Sequence, residues 1–130
     1  MSFDELILAA KSVYGPRQLS ERADAGGVAA ALLSEGGKVY TGVCIDVPCS
    51  MGFCAEHAAI AAMITAGESK IVKAVAIRHD GVIPPCGRCR EFMSQIHKEN
   101  INAEIMVSAN KIVKLAELLP YRWDESKDEA

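Results

Sequence analysis

The sequence predicts an α/β fold, in which helices cover both faces of a mixed β-sheet. Three observations lead there. The chain has 130 residues, the length of one ordinary domain. Half of those residues are hydrophobic, enough for a single core. Apolar strand-like runs also alternate along the chain with helical patterns. No Pro/Ser-rich linker or internal repeat divides residues 1–130, so one domain is expected.

Residues 3–14 set Phe3, Leu6, Ile7, Ala10 and Val13/Tyr14 at helical spacing, and Gly15-Pro16 stops that helix. The polar, Gly-rich residues 17–27 read as a loop. Val28–Ser34, the Gly36-Gly37 turn and the β-branched segment Lys38–Ile45 read as a hairpin. A loop over 46–53 follows, with Pro48 and Gly52. Cys54–Ala66 is Ala-rich and free of Gly and Pro, hence helical, and Gly67 ends it. Lys70–Arg78 reads as a mostly buried strand, and Asp80-Gly81 and Pro84-Pro85 mark the loop after it. Cys86–His97 is the next helix and Ala103–Ser108 the next strand. Lys111–Lys114 is a last short strand, Leu115–Leu119 a short helix, and Asp124–Ala130 a charged, solvated tail.

Composition excludes several functions. The net charge is −3, and no basic stripe offers a nucleic-acid footprint, so no nucleic-acid partner is expected. The longest central apolar run, Ala58 to Ile64, is far short of the roughly 18 residues a spanning helix needs, so no membrane partner is expected. The N-terminal Met1–Glu5 carries early acids and no apolar core, which argues against a secretory signal and for a cytoplasmic protein. In that compartment the five cysteines, Cys44, Cys49, Cys54, Cys86 and Cys89, are ligands or free thiols rather than disulfides.

Two groups carry the chemistry, Cys54-Ala55-Glu56 and Pro85-Cys86-Gly87-Arg88-Cys89, and each opens a predicted helix. Cys86 and Cys89 share one face of a first helical turn, with Cβ atoms roughly 5–6 Å apart. That spacing suits two thiolates on one tetrahedral Zn²⁺, and Cys54 can supply a third from the other helix. Both helix dipoles point their positive ends at the cluster and favour thiolates. With three protein ligands, a fourth position stays open for water, as in catalytic zinc sites. Glu56, two residues past Cys54, can lean over that position and take the water's proton. His57, Arg88 and Arg90 are the nearby cations able to offset the thiolate charge.

These residues, [Cys]-Ala-Glu followed by Pro-Cys-x-x-Cys, resemble the zinc-dependent cytidine deaminase family. Val28–Leu33 and Val39–Val43 resemble its first two strands, and Leu118-Leu119-Pro120 its C-terminal segment. The resemblance implies a three-layer α/β/α sandwich with a mixed five-stranded sheet. It implies Zn²⁺ on Cys54, Cys86 and Cys89, with Glu56 as the catalytic proton carrier. The implied reaction is hydrolytic loss of the 4-amino group of a cytosine-type small molecule. Glu56 carries the proton of the zinc-activated water to N3 and to the departing ammonia. Ala55 is implied at the substrate, and His57 and Arg90 behind the metal ligands. A homotetramer with sites completed by neighbouring chains is implied as well.

Departures from the family pattern bear on the substrate. An Asn-x-Glu pair resembling a ribose clamp is replaced by Cys44-Ile45-Asp46, a substrate-contacting Phe by Gly26, and the usual Arg after the catalytic Glu by His57. The blasticidin S deaminase subgroup also lacks that Phe and Glu, and its Cys-Gly-Arg-Cys-Arg run matches here. Its Tyr-x-Trp past Leu-Leu-Pro matches Tyr121-Arg122-Trp123. Tyr121 and Trp123 are therefore expected to close the substrate pocket, and a blasticidin-type substrate is the first expectation, with plain cytidine or deoxycytidine the alternative. A Ser that contacts the substrate in that subgroup aligns with Gly27.

Plainer readings remain open at this point. A structural zinc site would need Cys44 or Cys49 as a fourth ligand. A redox Cys-x-x-Cys would leave Cys54-Ala55-Glu56 unexplained. A nucleic-acid editor with the same chemistry would need a basic, aromatic channel, and only 5% of the residues are aromatic. A zinc-stabilised binding module without turnover is the non-enzymatic reading.

Overall fold

The computed structural model describes residues 1–125, so the expected tail at 124–130 lies almost wholly outside the described residues. Helix α1 spans Phe3–Val13, α2 Ala55–Thr65 and α3 Gly87–Ile96. The strands are β1 (Arg17–Gln18), β2 (Asp24–Ser34), β3 (Val39–Asp46), β4 (Ile71–Arg78), β5 (Gly81–Ile83), β6 (Glu104–Ser108) and β7 (Lys111–Lys114). All seven belong to one mixed sheet.

The five expected strands form its body, in the order β3-β2-β4-β6-β7. Pairing is antiparallel except between β4 and β6, which α3 connects. The expectation of five strands is corrected by two short additions. β1 pairs the start of β2, inside the segment read as a loop, and β5 pairs the end of β4. Strands of two and three residues carry almost no periodic signal; their partners impose them.

Strand alternation builds the layers. Ala29, Ala31 and Leu33 of β2 pack with Phe3, Leu6 and Ala10 of α1 on one face. Leu32 packs on the other face with Ala59, Ile60 and Met63 of α2 and with Met93 of α3. A strand buried on both sides reads as a continuous apolar run, which is why β2 shows no polar alternation. Ser2 caps α1 by accepting the Glu5 N–H. α2 ends in a Schellman turn, with Gly67 at φ 95° and the Glu68 N–H on the Met63 carbonyl. Gly42 of β3 lies so close under α2 that a Cβ there would overlap the backbone of Ala59 and Ala55.

Two polar knots fix the ends of these elements. The Glu68 carboxylate accepts from Ser34 Oγ (2.7 Å), Tyr40 OH (2.8 Å) and the Gly36 amide (2.9 Å), tying the end of α2 to the β2–β3 turn. Asn100, fully buried in the 3₁₀ turn Lys98–Asn102, accepts the Ile71 N–H (2.8 Å). Its amide group also donates to the Ser69 (3.0 Å) and Met93 (2.9 Å) carbonyls. That turn was not anticipated. His97, expected as the last residue of the preceding helix, instead caps this turn: Nδ1 accepts the Glu99 N–H.

Candidate metal centre

α2 and α3 start side by side at one edge of the core and bring the three predicted sulfurs together. Cys54 is the N-cap residue of α2 and Cys86 that of α3, while Cys89 lies one turn into α3 and is buried. Cys54 Sγ lies 3.4 Å from Cys86 Sγ, and Cys86 Sγ lies 3.5 Å from Cys89 Sγ. All three sulfurs fall within 4.8 Å of one another. A tetrahedron with metal–sulfur bonds of about 2.3 Å has edges of about 3.8 Å, so the cluster fits one zinc ion with little adjustment. Neither Cys44 nor Cys49 belongs to this cluster. Cys44 is buried, with its sulfur accepting the Val28 N–H at 3.2 Å, and Cys49 is exposed. The four-cysteine structural reading therefore lacks its fourth ligand among the described residues, and a zinc ion held by these three sulfurs would keep a position for water.

The thiol electrostatics call for a cation. Burial pushes the Cys89 and Cys54 thiols up, away from ionisation. At Cys86 burial acts the same way, but hydrogen bonds from the Cys89 amide, the Cys54 and Cys89 thiols and the Arg88 amide together outweigh it and bring that thiol down. Three thiolates this close are stable together only around a positive ion.

Glu56 is 5% exposed and faces the cleft beside the sulfurs, in contact with Cys89. Burial raises its carboxyl above the usual carboxylate range. His57 Nδ1 is 3.3 Å from Cys89 Sγ, and its ring stacks on Phe92 at 4.5 Å between centroids. Burial lowers the His57 pKa, and Arg88 adds to the effect, so a neutral ring with its proton on Nδ1 can donate to the thiolate. Arg90 reaches no sulfur. Its Nε donates to the Pro85 carbonyl (2.8 Å) and an outer nitrogen reaches the Leu118 carbonyl (3.5 Å). It therefore braces the loop that carries Cys86.

A cleft of about 690 Å³ opens over the sulfurs. Ala55, Glu56 and Arg88 line it, with apolar walls from Val28, Phe53 and Ile83. Asp46, at the end of β3, lines it as well. Sequence reading had assigned Asp46 and Phe53 no role. Both come from the 44–53 segment, whose base is closed by one β-bridge: Ile45 and Phe53 exchange two backbone hydrogen bonds of 3.0 Å. That bridge anchors the residue just before Cys54. Val28 reaches the cleft through a bulge of β2 between Ala25 and Ala29, where Gly26 has φ 88°.

Tyr121 and Trp123 do not line this cleft. Tyr121 is fully exposed, and Trp123 Nε1 donates to Glu91 on α3 at 3.1 Å. Within one chain the two aromatics close nothing over the metal site.

This fold and site define a zinc-dependent deaminase class. The chain belongs to the cytidine and deoxycytidylate deaminase family, whose zinc-binding region matches residues 8–105. A cytidine deaminase of Mycobacterium tuberculosis is 31% identical over 96 residues, 72% of this chain and 69% of that protein. The crystal structure of cytidine deaminase from Mycobacterium tuberculosis superposes with a TM-score of 0.78 at 26% identity, over 95% of this chain and 98% of that one. The Burkholderia pseudomallei cytidine deaminase structure gives 0.72 at 26% identity, over 95% and 100%. Among the described residues, no helix is long and apolar enough to cross a membrane.

Proposed function

We propose that this chain hydrolyses the 4-amino group of a cytosine-type small molecule, with cytidine or deoxycytidine the first substrates to test. The observation that carries the reading is a buried carboxyl, Glu56, in one cleft wall with a three-thiol metal cluster. Cys54, Cys86 and Cys89 would hold the zinc ion, which when bound would acidify a water for attack on the ring. Glu56 would take the water's first proton and place it on N3 of the ring, where it stays, and would then carry the proton of the new C4 hydroxyl to the amino group, which leaves as ammonia. One water enters, the C4–N bond breaks, a C4 carbonyl forms and ammonia leaves, with no redox change. Val28, Phe53 and Ile83 exclude water around the ring. Asp46 offers a carboxylate to sugar hydroxyls where the family has a Glu. His57 steadies Cys89, and Arg90 steadies the Cys86 loop.

Relatives that are cytidine deaminases favour this over the blasticidin-type substrate. That second reading keeps two observations, the Cys44-Ile45-Asp46 replacement and the Tyr121-Arg122-Trp123 motif. A homotetramer, which the family resemblance implies, is the arrangement in which Tyr121 and Trp123 reach a neighbour's cleft; light scattering tests it, and a monomer refutes it. Ammonia release from cytidine, deoxycytidine, cytosine and blasticidin S separates the substrates. Glu56→Gln tests the mechanism: zinc content is expected to hold while turnover falls by at least roughly 10²–10⁴-fold, and near-normal turnover refutes it.

A further inference from the structure

One cysteine outside the metal cluster sits in the cleft wall. Cys44 of β3 is buried among Ala30, Ala55 and Ala76, and it still lines the cleft. Two contacts take up its thiol. The sulfur accepts the Val28 N–H at 3.2 Å, from the stretch of β2 between Ala25 and Ala29 where the register with β3 shifts. A bulge interrupts the ladder and frees backbone groups, and the thiol takes this one. The S–H is directed at Asp46 Oδ2, 3.8 Å away and two residues on along the same face of β3. Val28 and Asp46 both line the cleft, and they come from different strands. We propose that Cys44 is a positioning residue: its thiol ties Asp46 to the β2 bulge and so sets how the cleft reads the hydroxyls of the substrate's sugar. The proposal rests on the deaminase reading and on the place of Asp46 in it.

Thiol chemistry makes the role indirect. A thiol offers one weak donor and a weak acceptor, and here Asp46 takes the donor and Val28 uses the acceptor. An amide at this position, as in the family pattern, carries two donors and an acceptor, enough to face a sugar itself. Cys44 therefore acts through Asp46. Asp46 is exposed at the end of β3, where water alone would leave its carboxylate free to turn. Among the described residues, Cys44 is the side chain that donates a hydrogen bond to that carboxylate.

The test uses the zinc-loaded protein and two compounds, cytidine and its tetrahydrofuranyl analogue, which keeps the sugar ring and lacks every hydroxyl. Ammonia release gives kcat and KM for each, and calorimetry on the Glu56→Gln background gives binding. Cys44→Ala is expected to lower the preference for cytidine over the analogue by roughly three- to tenfold, through KM rather than kcat. Asp46→Asn is expected to lower it by a similar factor, and adding Cys44→Ala to that variant to change little more, because the two residues act as one unit. Cys44→Ser keeps a donor and an acceptor and is expected to restore most of the preference. Thermal melts establish that each variant folds. A wild type without the preference, an unchanged preference in Cys44→Ala, an equal loss for both compounds, or full additivity with Asp46→Asn overturns the proposal and leaves the deaminase standing. A binding preference that falls in Cys44→Ala, with no ammonia from either compound, keeps the role of Cys44 and overturns the deaminase.

Discussion

Asn100→Ala is expected to be the most destabilising single change outside the metal site. The side chain is fully buried and makes three hydrogen bonds of 2.8–3.0 Å, joining the start of β4, the end of α3 and the residues before β4. Truncation leaves the Ile71 N–H without its acceptor, at a cost of about 1–3 kcal/mol. Two donors to the Ser69 and Met93 carbonyls are lost as well, at about 1 kcal/mol each. The sum is about 3–5 kcal/mol, a large part of a stability of about 5–15 kcal/mol. Urea unfolding of the zinc-loaded protein measures it, as a fall in midpoint at constant m-value. The melting temperature should drop by roughly 10–25 °C. A loss below about 1 kcal/mol would show that water or neighbouring groups replace the amide, and the knot would not be what fixes β4 to α3.

Cys54→Ser is expected to leave the fold largely intact in spectra but to lose zinc on dialysis against a chelator, as metal analysis reads directly. Gly42→Val places a branched side chain against the Ala59 and Ala55 backbone. It should cost about 1–3 kcal/mol or more by overpacking β3 against α2, measured by chemical denaturation. Hydrogen bonds from Ser34 and Tyr40 hold the Glu68 carboxyl below its ordinary range. A depressed folded pKa contributes stability above the unfolded value and loses it as pH falls through the folded value. The stability advantage of the wild type over Glu68→Gln should therefore be present at neutral pH and shrink on acidification. An advantage independent of pH, in paired melts, refutes it.

The metal ligands were legible because their signal is local. Cys86 and Cys89 share a helical turn, and Cys54-Ala55-Glu56 opens another, so spacing alone places sulfur and carboxylate at two helix starts. The long strands and helices were legible from Val28–Ser34, Lys70–Arg78 and the Ala-rich run after Cys54. The cleft wall from the 44–53 segment was not, because Asp46 and Phe53 are aimed by the Ile45–Phe53 pairing across a loop. β1 and β5 were missed for the same reason. Asn100 and His97 look like ordinary polar residues until the backbone groups they satisfy are in view. Tyr121 and Trp123 were read from a motif, and a motif says nothing about which chain's cleft its aromatics face.

Closing the 46–52 segment at its base has an evolutionary corollary. Because Phe53 is clamped to the sheet immediately ahead of Cys54, residues farther out can lengthen, shorten or change character without dragging a ligand off the ion. Selection can thus remodel the rim to suit a new compound while the hydrolytic machinery beneath stays put.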